Sequence, residues 1–135
     1  MLGFCSLRKP ALHVACSSGV CTKKCNYCPF YKSFERSFIV TACSKDQSEI
    51  VSIESTTLPF GASFNKIPQP GGRLLMIDPY DPNWVAQKSC NQYVFRWTPA
   101  IDAVSSTITF QAVEKNSGKR SLGTYGFALK IVPAG

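Results

Sequence analysis

Apolar and polar residues alternate with a period of two over several short stretches of this chain. Phe38, Val40 and Ala42 alternate with Ile39 and Thr41, and Tyr93, Phe95 and Trp97 alternate with Val94 and Arg96. Successive side chains of a strand point to opposite faces, so these stretches read as strands. Thr107 to Val113 sets Ile108, Phe110 and Ala112 on one face, and Tyr125 to Val132 does the same with Phe127, Leu129 and Ile131. Short apolar runs at 50–53 and 74–77 add two more, and Ala62 and Phe64 share a face after a turn at Pro59 and Gly61. Turn chemistry separates the runs: the Pro- and Gly-rich stretch 65–72, the stretch 78–83 with Pro79 and Pro82, and Asn116-Ser117-Gly118. No amphipathic helix longer than two turns is visible. The pattern predicts an all-β fold, a Greek-key antiparallel β-sandwich of about seven strands.

Residues 1–34 show no clean period of 2 or 3.6 and read as a cysteine-stapled loop. Two parts are therefore expected: a cysteine-rich basic segment, 1–34, and a β-sandwich domain, 35–135. At 135 residues the chain is long enough to bury a core of its own. Nine Gly and nine Pro scattered along it suit short strands joined by turns.

Seven cysteines change the picture, because six of them fall in the first 43 residues. Cys5, Cys16, Cys21, Cys25, Cys28, Cys43 and Cys90 are all disulfide candidates, as an oxidising compartment would allow. The odd total leaves one thiol unpaired or bonded to another chain. Cys16, Cys21, Cys25 and Cys28 could instead hold zinc, which takes four thiolates tetrahedrally. Only Cys25 and Cys28 make a Cys-x-x-Cys knuckle, however, so disulfides are the favoured reading. A redox Cys-x-x-Cys is disfavoured because no βαβ pattern surrounds it. Cys43 and Cys90 sit at the ends of predicted strands that a sandwich could bring together. A bridge between them would close a loop of about 48 residues, worth on the order of 4 kcal/mol in the loop-entropy model. Either could instead pair with the N-terminal cluster.

The net charge of +7 is unevenly spread. Arg8, Lys9, Lys23, Lys24 and Lys32 face no acid within residues 1–34, while the rest of the chain is close to neutral. An acidic neighbour such as an anionic glycan suits that segment. Nucleic acid is disfavoured: Tyr27, Phe30, Tyr31 and Phe34 could stack bases, but the bases of the segment are few and set among cysteines. No apolar run approaches membrane-spanning length. Arg8, Lys9 and Pro10 interrupt any signal-peptide core after Met1 to Phe4, so a secreted form would need a leader upstream.

With the strands placed, residues 38–132 resemble the dystroglycan-type, cadherin-like immunoglobulin repeat. The residues that carry the resemblance are Phe38-Ile39-Val40-Thr41-Ala42, Leu58-Pro59-Phe60-Gly61-Ala62-Ser63-Phe64, Phe95-Arg96-Trp97-Thr98-Pro99, Ile108-Thr109-Phe110-Gln111-Ala112, Gly118 and Leu129-Lys130-Ile131-Val132. The resemblance implies an Ig-like or cadherin-like sandwich and a role as a tandem spacer in large extracellular proteins, including filamentous assemblies such as the mastigonemes of algal flagella. It does not bring calcium with it. Cys43-Ser44-Lys45-Asp46 and Glu114-Lys115-Asn116 lack the oxygen-ligand cluster that a calcium ion needs.

Catalysis finds little support. His13 is the sole histidine, so a Ser-His-Asp or Cys-His arrangement would depend on it alone. Asp78 and Asp81 lie in turn chemistry, and Asp46 and Glu49 read as a solvated loop. No catalytic residue, metal ligand or cofactor is assigned. Trp97, Phe95, Phe110 and Phe64 are the expected core anchors, and Trp84, Tyr80 and Tyr93 the expected contact residues. The reading is a non-catalytic structural or adhesive module of an extracellular or cell-surface protein, such as a flagellar or cell-wall appendage. Its partners would be neighbouring domains or copies of itself. The alternative is an intracellular, zinc-stabilised basic module that binds nucleic acid.

Overall fold

The computed structural model describes residues 11–16, 27–77, 85–120 and 125–132. Nine strands lie among them: β1 (Ala11–Cys16), β2 (Tyr27–Tyr31), β3 (Arg36–Ser44), β4 (Val51–Ser55), β5 (Ala62–Lys66), β6 (Leu74–Ile77), β7 (Gln87–Trp97), β8 (Ser106–Glu114) and β9 (Tyr125–Val132). The fold is an all-β sandwich. One sheet runs β1-β3-β7-β5, with β6 also paired to β7, and the other runs β2-β9-β8-β4. All pairings are antiparallel except β2 with β9. With β6 set aside as an addition, each sheet has four strands.

Alternation builds the core. On β3, Phe38, Val40 and Ala42 point inward, and on β7 Phe95 and Trp97 do. From the other sheet come Val51, Ile53, Ile108, Phe110, Ala112 and Leu129. Phe38 stacks on Phe95 with ring centroids 4.9 Å apart and meets Phe110 edge-on at 6.3 Å. The four expected anchors all serve this core: Trp97, Phe95 and Phe110 are buried, and Phe64 packs against them half-buried.

The expected loop over residues 1–34 needs correction where it is described. Ala11–Cys16 pairs with β3, and Tyr27–Tyr31 pairs in parallel with β9. Both are edge strands, one on each sheet, so the sandwich extends back across the expected boundary at residue 34. Main-chain pairing needs no side-chain period, which is why a short strand containing Pro29 carried no signal. Pro is tolerated there because an edge strand can leave one N–H side unpaired. β2 also delivers Phe30 to the core, where it meets Phe95 edge-on at 6.2 Å and Trp97 at 5.1 Å. Phe30 is therefore a core residue and not a base-stacking surface.

β7 is longer than its alternating part. It runs from Gln87 and pairs with β3 from Ser89 to Trp97, while its other edge takes β6 first and β5 afterwards. Lys88, Ser89 and Asn91 lie buried in its first half. Asn91 donates from Nδ2 to the carbonyls of Val51 and Gly72, both at 2.8 Å, which ties the two sheets and the 67–73 connection together.

Candidate functional site

The registers define two ends of the sandwich. At one end lie the finish of β3, the start of β4 and the finish of β8; at the other lie the start of β3, the finish of β7 and the start of β8. The two ends differ in chemistry.

The first end is polar and closed by two buried carboxylates. Glu49 and Glu114 are each only 4% exposed. Glu49 accepts the main-chain N–H of Asn116 at Oε1 and of Ser117 at Oε2, both at 2.9 Å. Glu114 accepts the Ser117 hydroxyl at 2.6 Å and the Ser44 hydroxyl at its other oxygen. The Ser89 hydroxyl donates to the Glu49 carbonyl. These bonds clamp the β3–β4 turn onto the turn that follows β8. Asp46 shapes the first turn by accepting the main-chain N–H and the hydroxyl of Ser48. Those bonds hold the Asp46 carboxyl below its ordinary value, with Lys119 adding to the effect. In the second turn Gly118 takes φ +74°, the left-handed region that favours glycine.

Glu49 is thus not the solvated loop residue the sequence indicated. Its carboxylate is occupied by donors, as is that of Glu114. Oxygens turned to N–H and O–H groups are poorly placed to coordinate a hard cation. Among the described residues no group of three His, Cys, Asp or Glu side chains converges as a metal-ligand set. A Glu49→Ala substitution strands two main-chain donors and removes a charged acceptor. We expect it to lower stability by about 2 kcal/mol, with Glu49→Gln losing less because one acceptor remains. Urea midpoints at neutral pH check this, and an unchanged midpoint for Glu49→Ala would show that the carboxylate clamps nothing.

The second end is apolar. Three connections meet there: 32–35, 56–61 and 98–105. The Ser33 N–H donates to the Pro99 carbonyl at 2.8 Å, which joins the first connection to the third. The Trp97 indole N–H donates to the Phe60 carbonyl at 3.1 Å, which ties the second to the end of β7. Gly61, at φ +85°, permits the tight turn closed by the Ala62 N–H on the Pro59 carbonyl. These connections carry large apolar side chains into solvent: Phe34 is 61% exposed, Phe60 94%, Ile101 79% and Val104 77%. Lys32, Glu35, Arg36 and Asp102 accompany them. Along the sequence, Phe34 reads only as a stacking aromatic in a basic segment, and Phe60 only as part of a turn motif.

The remaining sequence-based sites fall as follows. Cys43 and Cys90 are buried and disulfide-bonded, with Cα atoms 4.1 Å apart. They are directly opposed residues of β3 and β7, so the bridge lies within one sheet. In antibody domains the bridge joins the two sheets instead. Cys16 lies in β1 and Cys28 in β2, on different sheets. Cys5, Cys21, Cys25, Tyr80 and Trp84, with Asp78 and Asp81, lie outside the described residues. Tyr93 is corrected as a contact residue. It shares the inward face of Phe95 and Trp97, is half-buried, and stacks on Phe64 with centroids 5.0 Å apart.

Fold and ends together define a two-sheet β-sandwich module with a clamped polar end and an exposed apolar end. No family model and no curated protein matches the chain. Solved structures do. One is a crystal structure described as Rst D1-D2, at 12% identity and a TM-score of 0.48, with 93% of this chain and 50% of that chain covered. Another is a family 123 glycoside hydrolase from Clostridium perfringens, studied for glycolipid glycan hydrolysis. It aligns at 8% identity and a TM-score of 0.52, with 93% of this chain and 27% of that chain covered. This chain therefore spans half of the first and about a quarter of the second. The likeness to the second is one of fold alone.

Proposed function

We propose that this chain is a non-catalytic extracellular module, serving as a spacer or assembly unit in a larger surface protein or filament. The observation that carries the reading is the direction of the chain through the sandwich. β1 starts beside Cys43 at the polar end, and β9 finishes beyond Ser106 at the apolar end. A module joined at both sides would thus transmit force along its strands, as a spacer must. The resemblance of residues 38–132 to dystroglycan-type repeats supports the same role. The Cys43–Cys90 disulfide fits an oxidising compartment. Among the described residues no helix is long and apolar enough to cross a membrane. The basic residues of 1–34 suit an acidic neighbour such as an anionic glycan.

The test is made on cells that produce the protein. Intact cells are labelled with a membrane-impermeant amine reagent, extracted without reductant and separated by size. Labelled protein recovered in a large species supports the reading. Protein labelled only after lysis, and running as a free monomer, overturns it.

A further inference from the structure

We propose that the apolar end is a self-association surface, on which a second copy of this chain docks end to end across a two-fold axis. The inference rests on the assembly-unit reading and gives that unit its partner.

Three observations carry it. The first is area. An aromatic side chain offers roughly 150–250 Å². Phe34 and Phe60, with Ile101 and Val104, therefore present on the order of 500 Å² of apolar surface at one end. A stable complex buries about 800 Å² on each partner. The four side chains and the polar rim around them approach that half-interface. The second is charge. Lys32, Arg36 and Arg96 stand with Glu35 and Asp102, and Arg96 lies 3.9 Å from Glu35, so the rim mixes both signs with one base in excess. A mixed rim can face its own copy, because a two-fold axis can bring the acids of one copy to the bases of the other. An anionic lipid surface would instead call for a cluster of bases without acids among them. The polar end, with Lys45, Asp46, Lys115 and Lys119 around its turns, would lose hydration against an apolar patch. This favours like-on-like packing over head-to-tail stacking.

The third observation is order. Loop residues that make a contact are expected to be held in place before it forms, because that lowers the cost of binding. Here the main-chain bond from Ser33 to Pro99 joins the first connection to the third, and the indole bond from Trp97 to Phe60 pins the second. Ser33, next to Phe34, also adopts φ +68°, a left-handed conformation that is unfavourable for a non-glycine residue. Such strain persists where the surrounding structure imposes it, and it concentrates at functional sites.

Sedimentation velocity of the full chain over a wide concentration series tests the proposal, with free thiols alkylated so that no dimer is covalent. A monomer–dimer equilibrium that stops at the dimer is expected. Phe60→Ser should weaken it about 30-fold, the effect of removing a hot-spot residue. Because Phe60 is almost fully exposed, this variant should melt with the parent. Val85→Ser, at an exposed apolar residue outside these three connections, should leave the dimer unchanged. A monomer at every concentration overturns the proposal, as does a dimer indifferent to Phe60→Ser. An open-ended series of larger species overturns the two-fold arrangement in favour of head-to-tail stacking. Binding of the monomer to anionic vesicles without dimer formation assigns the surface to lipid and likewise overturns it. The two readings fail separately: a surface-labelled monomer sinks this inference alone, and a dimer found only inside cells sinks the extracellular reading alone.

Discussion

Phe95→Ala is expected to destabilise the protein by about 3–5 kcal/mol, the range for deleting a buried aromatic ring. Phe95 sits at the centre of the interface between the sheets. Its ring stacks on Phe38 from the same sheet and takes the edge of Phe30 from the other. No part of it is exposed. Removing it leaves a void bounded by rings on two sheets, and β-sheet backbones pinned by pairing on both sides collapse poorly into such a void. Most small domains are stable by only 5–15 kcal/mol, so a large share of the total is at stake. Urea denaturation followed by Trp97 fluorescence reads the loss, because Trp97 lies beside Phe30 in the same cluster. Phe95→Leu should lose clearly less, since most of the volume remains. A cost below about 1 kcal/mol for Phe95→Ala would place the centre of the core elsewhere.

The Cys43→Ala/Cys90→Ala double substitution is the second large effect. The two positions are separated by 47 residues in sequence, so the bridge closes a long loop in the unfolded chain. Loop entropy puts its contribution at about 4 kcal/mol. The folded register should survive, because Cys43 and Cys90 are already opposed in the β3–β7 pairing, which runs on through Ser44 and Ser89 at one side. The expected signature is specific. The urea midpoint falls, and the dependence on denaturant steepens, because the uncrosslinked unfolded chain exposes more surface. A double variant as stable as the parent would mean that the bridge constrains an unfolded ensemble that is compact without it.

The sandwich itself was legible wherever one face of a strand is apolar and the other is not. β3, β8 and β9 announced themselves through Phe38, Val40 and Ala42, through Ile108, Phe110 and Ala112, and through Leu129 and Ile131. The start of β7 did not, because Lys88, Ser89 and Asn91 read as surface residues although they are buried. Partners far away in sequence make that burial possible: Asn91 bonds the Val51 and Gly72 carbonyls, and Ser89 bonds the Glu49 carbonyl. β1 and β2 escaped notice because edge pairing is a main-chain affair. The clamp at Glu49 and Glu114 joins residues 67 to 70 positions apart, and nothing local to either marks it.

The class of fold, the identity of the large core rings, and the uneven charge and cysteine content can all be read along the chain. These follow from composition and from the two-residue period of a strand, which are local properties of the chain. Which residues meet depends on the packed sheets. Their packing made Phe30 interior, packed the half-buried Tyr93 against the core, turned Glu49 from a loop acid into a buried clamp, and set Cys43 against Cys90 within one sheet. It also gathered Phe34, Phe60, Ile101 and Val104 at one end, from three connections that no sequence window contains together. The physical reason is that pairing between distant strands, and not any neighbour along the chain, sets which side chains lose water and which keep it.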